Sequence, residues 1–378
     1  MTDKIYQEPV IKFVEETDIK YQDSKSPVIV AMSGGVDSSV AAALMVERGH
    51  KVIGLTMQLY DNGAALQKTK ACCAGQDIYD ARRVATRLNI PHYVLDYENR
   101  FQQAVIDDFA DSYLSGTTPI PCIRCNQKIK FRDLIATARE LDARALVTGH
   151  YVRRIVSGGQ AELHKAFDVT RDQSYFLFTS TPAQLEYLRF PLGNLSKKET
   201  RDLATKYDLP VANKPDSQDI CFVPDGDYAR TIERLRPGAG RPGNIVLEDG
   251  TIVGNHSGIF HFTVGQRRGL RVTSSRALYV LRLIPEKNEV LVGPKESLEV
   301  TTTTVNNVNW LDPLLTATDE TKLTVKVRST HPGTTARVRP TQENRAEIIF
   351  DEPPGAVSPG QAAVFYRESR LVGGGWIE

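Results

Sequence analysis

The fold of this chain is decided at residues 27–40, Pro27-Val28-Ile29-Val30-Ala31-Met32-Ser33-Gly34-Gly35-Val36-Asp37-Ser38-Ser39-Val40. The stretch begins with apolar, β-branched residues, which predict a buried strand of a parallel sheet. Two glycines then let the backbone turn sharply and come close to a ligand. The alanine-rich run that follows predicts a helix that Gly49 can end. Such a strand, glycine turn and helix start form an anion-binding site, because the first helical N–H groups point at the ligand.

Side chains of the same turn add to this site. Ser33, Ser38 and Ser39 supply hydroxyl donors. Asp37 would repel a phosphate unless a metal ion or another cation lies between them, so Mg²⁺ is expected near Asp37. The plainer alternative is an ordinary helix start capped by serine or aspartate. The chain has no Gly-x-x-x-x-Gly-Lys-Ser/Thr, which disfavours a Walker-type phosphate loop.

The composition is that of a globular protein. The 378 residues suffice for two or three domains, with 25% charged and 41% hydrophobic residues. The net charge of +1 means that any nucleic-acid surface must be a local patch. No stretch approaches the length of a membrane span, so no membrane partner is expected. The five cysteines, an odd number in a large chain, suit reduced thiols in the cytoplasm.

Strand and helix patterns alternate in the first part of the chain. Strands are predicted at 52–57, 92–96 and 145–149, and helices at 77–88, 101–114 and 131–141. This alternation predicts an α/β fold with a doubly wound parallel sheet. Ligands of such sheets bind outside the carboxyl ends of the strands, where Met57 and Gly149 lie. Met57 can pack on an adenine face, and a core methionine is an equally good interpretation.

Three cysteines lie in polar segments. Two prolines predict a non-helical loop over residues 116–130, which holds Cys122 and Cys125 as Cys-x-x-Cys. The motif alone fits half of a zinc site, a redox pair, or a nucleophile with a neighbour, and the second motif that would favour zinc is absent. Nearby cations favour the thiolate form: Arg124, Lys128 and Lys130. Cys221 lies in the turn-rich segment 213–222, unlike a buried structural cysteine.

The rest of the chain adds smaller units. A hairpin is predicted over 152–167, and a helix over 196–207 opens with the capping box Ser196 and Glu199. After residue 225 the pattern changes to short strands and turns, and the β-branched segments from residue 300 onward predict a small β-barrel. The predicted divisions are an N-terminal extension 1–26, a catalytic domain 27–226, a central β-rich domain 227–299 and a C-terminal β-barrel 300–378.

An ordered set of stretches resembles the bacterial tRNA-specific 2-thiouridylases, members of the ATP pyrophosphatase (PP-loop) superfamily, over nearly the whole chain. These stretches are 33–39, 118–131, 148–151, 171–177, 216–222, 263–270 and 356–366. The resemblance implies a tRNA-uridine 2-sulfurtransferase. Such an enzyme adenylates O2 of the wobble uridine with MgATP and replaces it by persulfide sulfur, releasing AMP and pyrophosphate. The implied partners are tRNA and a persulfide sulfur-donor protein, and the implied state is a monomer.

The resemblance also implies residue roles. Cys221 would carry the persulfide and Cys125 would be its partner, and either order of attack ends in a Cys125–Cys221 disulfide that needs a reductant. The implied ATP contacts are Ala31, Met32, Ser33, Gly34, Gly35, Val36, Asp37, Ser38, Met57 and Gly149. The implied target-base contacts are Ile120, Pro121 and Cys122. The implied tRNA contacts are His150, Arg171, Asp172, Gln173, Arg328, Ser329 and Gln361.

One position departs from the resemblance. Many members of the family carry aspartate where this chain has Cys122. A carboxylate serves as an acid or base at neutral pH more readily than a thiol does. Cys122, Cys125 and Cys221 also offer an alternative, a [4Fe–4S] cluster with one open iron. The persulfide and cluster routes both remain open from sequence.

Two functions of other classes fit parts of the pattern. A different ATP pyrophosphatase, a ligase that adenylates a carboxylate or amide, would leave Cys125 and Cys221 without a task. A non-catalytic RNA-binding module would hold zinc on its cysteines and release no pyrophosphate.

A tRNA surface is expected as a local arginine patch: Arg153, Arg154, Arg267, Arg268 and Arg328. Cys72 and Cys73 are expected to be structural or peripheral.

Overall fold

The computed structural model describes residues 26–60, 73–216, 220–223, 226–317, 320–342 and 344–378. Nearly all of the predicted N-terminal extension, together with Cys72 and the side chain of Cys73, lies outside the described residues. Within them, no helix combines the length and the apolar composition that crossing a membrane requires.

A parallel sheet forms the centre of the first part of the chain. The strands of this part are β1 Val28–Ala31, β2 Val52–Gln58, β3 His92–Asp96, β4 Ala145–Val147, β5 Val152–Ser157, β6 Gln160–Lys165 and β7 Leu188–Arg189. The sheet has the order β3-β2-β1-β4-β7, and every pairing in it is parallel. The strand order reverses between β1 and β4, so a ligand crevice is expected at the carboxyl ends of these two strands.

Helices cover this sheet and extend to one side of it. They are α1 Val36–Glu47, α2 Cys73–Leu88, α3 (Glu98–Phe101, Gln102–Ile106 and Asp107–Leu114), α4 (Pro121–Cys125, Asn126–Leu134 and Ile135–Glu140), α5 Pro182–Tyr187, α6 Lys197–Lys206 and α7 Tyr228–Leu235. The capping box of α6 is confirmed, since Ser196 Oγ accepts the Glu199 N–H and the Glu199 carboxylate accepts the Ser196 N–H.

Two predictions about helices were wrong. Residues 116–130 are not a loop throughout, because α4 begins at Pro121 and is helical to Glu140. Proline suits the first position of a helix, where its missing N–H costs no hydrogen bond and its φ is already helical. The prediction of only strands and turns after residue 225 missed α7, whose first turn is capped by the side chain of Asp227.

The remaining strands form two further sheets. They are β8 Gly243–Val246, β9 Ile252–His256, β10 Tyr279–Ile284, β11 Glu289–Gly293, β12 Thr302–Trp310, β13 Thr321–Lys326, β14 Thr334–Thr341, β15 Arg345–Phe350, β16 Ala362–Arg367 and β17 Arg370–Ile377. Strands β8–β11 form the central sheet, and β12–β17 close into an antiparallel barrel through the β12–β17 pairing. The predicted α/β fold with a central domain and a C-terminal barrel is confirmed.

The barrel packs directly on the catalytic domain. The predicted hairpin β5–β6 is present, and β6 pairs with β17 so that it extends the barrel sheet. Tyr366 and Trp376 of the barrel share one buried cluster with Tyr175 and Phe178. The Tyr175 hydroxyl donates to the Ala362 carbonyl at 2.9 Å. The two units therefore share a hydrophobic core as well as a strand pairing.

Candidate functional site

The turn between β1 and α1 has the geometry of an anion site. Gly34 has φ of +74°, and a Cβ there would lie 2.1 Å from the Asp77 carbonyl oxygen, so only glycine fits. The Ser33 N–H donates to Ser38 Oγ at 3.1 Å and tightens the turn. Gly35 is the N-cap of α1, and no side chain among the described residues caps the helix there. The alternative of a serine- or aspartate-capped helix is therefore wrong, and the first helical N–H groups face the turn.

Gly149 brings the end of β4 against the same turn. A Cβ on Gly149 would lie 2.7 Å from the Ser38 nitrogen and 2.8 Å from the carbonyl carbon of Asp37. The close approach places Gly149 beside the start of α1, at the crevice where the strand order reverses. Met57, at the end of β2, is half-buried and packs against two apolar clusters, so much of its surface serves the core.

A lysine supplies the cation that the sequence analysis required beside Asp37. Lys197 Nζ lies 2.7 and 2.9 Å from the two carboxylate oxygens of Asp37, and the Tyr151 hydroxyl donates to the same carboxylate at 2.9 Å. Lys197 is the first residue of α6, and its side chain is 11% exposed. Sequence reasoning missed Lys197, because its partner lies 160 positions away in the chain.

Asp216 joins Lys197 to the cysteine-bearing segment. Lys197 Nζ lies 2.8 Å from Asp216, which also pairs with Arg201 at 2.8 Å and with Arg171 at 3.0 Å. Burial opposes ionisation of Asp216, but the hydrogen bond and charge of Lys197 outweigh it and lower the pKa of this carboxyl. Four charged side chains therefore fix the start of the segment that leads to Cys221.

Lys214 fastens the glycine turn from the other side. Its ammonium donates to the Gly34 carbonyl at 3.0 Å and to Asp77 and Asp80 of α2 at 2.7 Å each. The turn is thereby held between α2 and residue 214. Sequence reasoning also missed Lys214, since a lysine in a polar loop carries no local signal of its partners.

The structure brings Cys122, Cys125 and Cys221 together. Cys122 and Cys125 lie three residues apart at the start of α4, on neighbouring positions of one helix face. Burial, reinforced by the charges of Cys125 and Cys122, raises the pKa of Cys221 to about 12. All three are free thiols, so each is available for chemistry.

The expectation that cations hold these thiols as thiolates was wrong. Burial raises the pKa of both Cys122 and Cys125, and Lys130 opposes it only in part. Arg124 is engaged elsewhere: its guanidinium carbon lies 4.2 Å from the ring centroid of Trp376, and it pairs with Asp108 at 3.4 Å. Lys128 also pairs with Asp108, at 3.9 Å. The resting thiols are therefore protonated.

The backbone at Cys221 is anchored, and the residue keeps solvent-accessible surface although the protein around its thiol desolvates it enough to raise its pKa. Phe222 is buried and makes edge contacts with Phe101 and Phe109, at ring-centroid distances of 5.8 and 5.2 Å. The Tyr60 hydroxyl donates to the Cys221 carbonyl at 2.8 Å. Residues 217–219 lie outside the described residues.

The three thiols do not fit a metal ligand set. No group of three or more His, Cys, Asp or Glu side chains in the described part of the chain is arranged to hold a metal ion. The iron–sulfur and zinc alternatives therefore have no preformed site, and no step is assigned to either. Mg²⁺ that arrives with a nucleotide needs no such preformed set, because it is bound mainly by the phosphates and by one or two carboxylates.

The residues that the resemblance assigned to tRNA lie in different environments. Gln173 accepts the Tyr151 N–H at 2.9 Å, and Asp172 accepts two backbone N–H groups and the Ser174 hydroxyl. Burial lowers the pKa of His150 to about 3, so its imidazole is neutral. Arg171 is occupied by Asp216, whereas Arg328 is exposed and donates to the Ala356 carbonyl at 3.3 Å.

The barrel clamps the segment that precedes Cys122. Gln361 Nε2 donates to the Thr118 carbonyl at 3.0 Å, and the Thr118 N–H donates to the Pro359 carbonyl at 2.8 Å. Ile120 and Pro121 are buried next to this contact. Gln361 therefore holds the loop beside Cys122 in addition to any contact with RNA.

The arginines of the predicted tRNA patch lie in different environments, and, Arg154 apart, their contact with tRNA stays a prediction. Arg154 is buried, donates to the Leu185 carbonyl at 2.7 Å and pairs with Glu186, so its inclusion was wrong. Arg267 and Arg268 are exposed on the turn that precedes Leu270.

Comparison with known proteins gives consistent matches. A family model described as a tRNA methyl transferase HUP domain matches residues 26–225, a tRNA methyl transferase PRC-barrel domain matches 232–294, and an aminomethyltransferase beta-barrel domain matches 300–377. The tRNA-specific 2-thiouridylase MnmA of Paracoccus denitrificans is 58% identical over 360 residues, which cover 94% of this chain and 92% of that protein. The same enzyme of Ruegeria pomeroyi is 58% identical, covering 94% and 96%, and that of Dinoroseobacter shibae is 57% identical, covering 94% of each.

Proposed function

The chain belongs to the family of tRNA-specific 2-thiouridylases, and from this premise we propose that it thiolates C2 of the wobble uridine in tRNA anticodons at the expense of ATP. The observation that carries the proposal is a physical link between two reactive sites. Lys214 donates to the Gly34 carbonyl, and Asp216 binds Lys197, the partner of Asp37. Phe222 packs in one apolar cluster with Cys125, which holds the neighbouring Cys221 within electrostatic reach of Cys122 and Cys125.

The glycine turn suits the first half of the reaction. The N–H groups at the start of α1 suit the pyrophosphate of MgATP, while Lys197 and Lys214 hold the turn in place. Asp37 is the carboxylate that would hold the metal ion of the nucleotide. Attack of the uridine O2 on the α-phosphorus releases pyrophosphate and leaves O2 bonded to AMP. A poor leaving group thereby becomes a good one, and charge on the departing phosphates is stabilised by fixed donors.

The three thiols suit the second half. A donor converts Cys221 to a persulfide, and Cys125 attacks its inner sulfur, which releases hydrosulfide and forms a Cys125–Cys221 disulfide. The hydrosulfide attacks C2 and expels AMP. In the alternative order the terminal persulfide sulfur attacks C2 first, and Cys125 then cleaves the S–S bond. Both orders consume two electrons from an external thiol reductant for each turnover.

We also propose the assignments that follow from this reaction. The nucleotide contacts, base contacts and tRNA contacts are those given by the resemblance above, and Gly149 marks the nucleotide side of the crevice. The four divisions 1–26, 27–226, 227–299 and 300–378, a persulfide-donor partner, a cytoplasmic location and a monomeric state belong to the same proposal.

Two rival functions, an adenylating ligase and a methyl transferase, would not use all of the residues at the site. A ligase that adenylates a carboxylate would use Asp37 and Lys197 but not the thiols beside Cys221. Methyl transfer, which the matching domain description names, would use neither the glycine turn nor the thiols.

The test separates the two halves of the reaction. Protein, MgATP and unmodified tRNA are incubated with a persulfide donor and a reductant, and 2-thiouridine and pyrophosphate are measured. We expect Asp37→Ala to lose both products. Cys125→Ser and Cys221→Ser should lose 2-thiouridine while still releasing pyrophosphate in the first turnover. Thiolation by the Cys221→Ser variant from the protein-bound persulfide donor would contradict the proposal.

A further inference from the structure

Basic side chains gather at the seam between the barrel and the hairpin β5–β6. Lys165 ends β6, Lys326 ends β13, and Arg328 and His331 follow in the next turn. None of them belongs to the ATP site or to the thiol site. Lys165, Lys326 and His331 have no role in the reaction described so far.

Both lysines lie on the side of the barrel that carries Tyr366. Thr324 lies opposite Tyr366 and Lys326 lies opposite Val364, so Lys326 projects from the same outer face of the barrel as Tyr366. Lys165 Nζ lies 4.4 Å from the centroid of the Tyr366 ring. A cation held over an aromatic face in this way is oriented without being neutralised.

The charges of this cluster are not balanced locally. Burial and the charge of Lys165 lower the pKa of Lys326, and burial with Arg328 and Lys326 lowers that of His331. Asp172 raises the pKa of Lys326 against burial and against the charge of Lys165, so within the described residues one negative charge is set against the two lysines.

Lys322, on the same strand as Lys326, differs from it in having a salt-bridge partner. Lys322 of β13 pairs with Asp351 at 3.0 Å, whereas Lys165 and Lys326 form no salt bridge within the described residues. Half-buried cations that lack ion-pair partners and face one another are a site for an external anion, because an anion relieves their mutual repulsion.

We propose that Lys165 and Lys326 jointly bind one phosphate of the RNA backbone, so that the substrate bridges the barrel and the catalytic domain. This rests on the proposed function and adds two residues to it. The contact is sequence-independent, since a phosphate fixes the register of the RNA but does not identify its bases. Exposed Arg328 extends the same surface along the turn after β13.

The test measures the affinity for unmodified tRNA by fluorescence anisotropy over a series of KCl concentrations. Each phosphate contact contributes about one unit to the slope of log Kd against log salt. We expect Lys165→Gln and Lys326→Gln each to weaken binding about tenfold at low salt and to lower the slope by about one, as for one charge-assisted contact. Lys326→Arg should retain binding, and Lys322→Gln is the matched control that should not change it.

The double variant tests whether one phosphate is shared. We expect Lys165→Gln with Lys326→Gln to weaken binding no more than either single change, because removing one side of a shared contact already disrupts it. Additive losses would overturn the shared site. A Lys326→Gln protein that melts normally and binds tRNA as Lys322→Gln does would overturn the proposal. Wild-type protein that binds tRNA without salt dependence would instead contradict the proposed function.

Discussion

Cys221 illustrates how surroundings set the state of a single residue. Burial and the neighbouring thiols raise its pKa to about 12, so the resting side chain is a protonated thiol and a poor nucleophile. We expect alkylation of Cys221 by iodoacetamide, followed by peptide mass spectrometry, to be far slower at pH 8.5 than that of free cysteine and to rise throughout the alkaline range. Cys125→Ser removes a thiol whose ionised form raises this pKa and should shift the profile to lower pH. A midpoint at or below that of free cysteine would contradict this picture.

Lys197 supports the proposed ATP site by pairing with two carboxylates. It neutralises Asp37 and Asp216 together, and removing it leaves two carboxylates without their shared cation. We expect Lys197→Gln to slow tRNA-dependent pyrophosphate release by about 10²-fold or more, the usual cost of losing a fixed electrostatic partner. Lys198→Gln is the matched control, since the adjacent Lys198 is exposed and its salt bridge within the described residues is with Asp202 one turn on. Equal rates in the two variants would remove Lys197 from the site.

Variants of Cys122 distinguish the persulfide route from the iron–sulfur cluster route, both of which the sequence left open. In the proposed persulfide route, the thiol at this position takes the place of the family's carboxylate beside the base and is not needed as a metal ligand. We expect Cys122→Asp to thiolate tRNA well and Cys122→Ala to retain part of the activity, both in aerobically purified protein. The readout is 2-thiouridine formation together with iron and labile-sulfide analysis. A stoichiometric cluster that is lost in Cys122→Ala along with the activity would show the persulfide route to be wrong.

Among the elements, those with local signals were predictable. The β-branched run predicted β1, the capping box predicted α6, and the strand-like segments on either side of a glycine turn predicted the hairpin β5–β6. The start of α4 was missed because proline was weighed as a helix breaker, although at a first helical position it is a helix starter. The pairing of Lys197 with Asp37 was beyond sequence reasoning, since contacts between distant elements depend on the packing of the whole domain.

The barrel turn at Gly360 positions the element that carries Cys122. Gly360 has φ of +84°, and a Cβ there would lie 2.9 Å from Thr117 Cβ and 3.0 Å from the Thr118 nitrogen. We expect Gly360→Ala to displace the start of α4 and lower thiolation. Gly355→Ala is the control, because Gly355 has φ of +79° and a Cβ there meets nothing within 4 Å. Both variants carry the same backbone strain, about 1 kcal/mol. If both thiolate equally well, the clamp does not position α4.

At the scale of the whole molecule, the individual domains were more predictable from sequence than the contacts that join them. A barrel was predictable from recurrent β-branched strands, but the pairing of β6 with β17 joins segments about 200 residues apart, as the 205-residue separation of His164 and Ser369 shows. The sequence around Tyr366 likewise predicts an ordinary barrel strand, although the Tyr366 side chain is buried against the catalytic domain. The pairing of strands so far apart in the chain produces no hydrophobic periodicity in either segment, so local sequence does not predict it.

Because the catalytic domain and the barrel share one core, we expect them to unfold together. Phe178 is fully buried, and its ring centroid lies 5.5 Å from that of Trp376 in the barrel. Phe178→Ala should cost about 3–5 kcal/mol of unfolding free energy, the usual effect of emptying a buried aromatic site. Hydrogen exchange should then show lower protection in β1 and in β16 alike. Phe167→Ala is the control, because Phe167 is 68% exposed and its removal should change neither. A barrel that keeps its protection while the parallel sheet loses it would show that the shared core does not couple the two units.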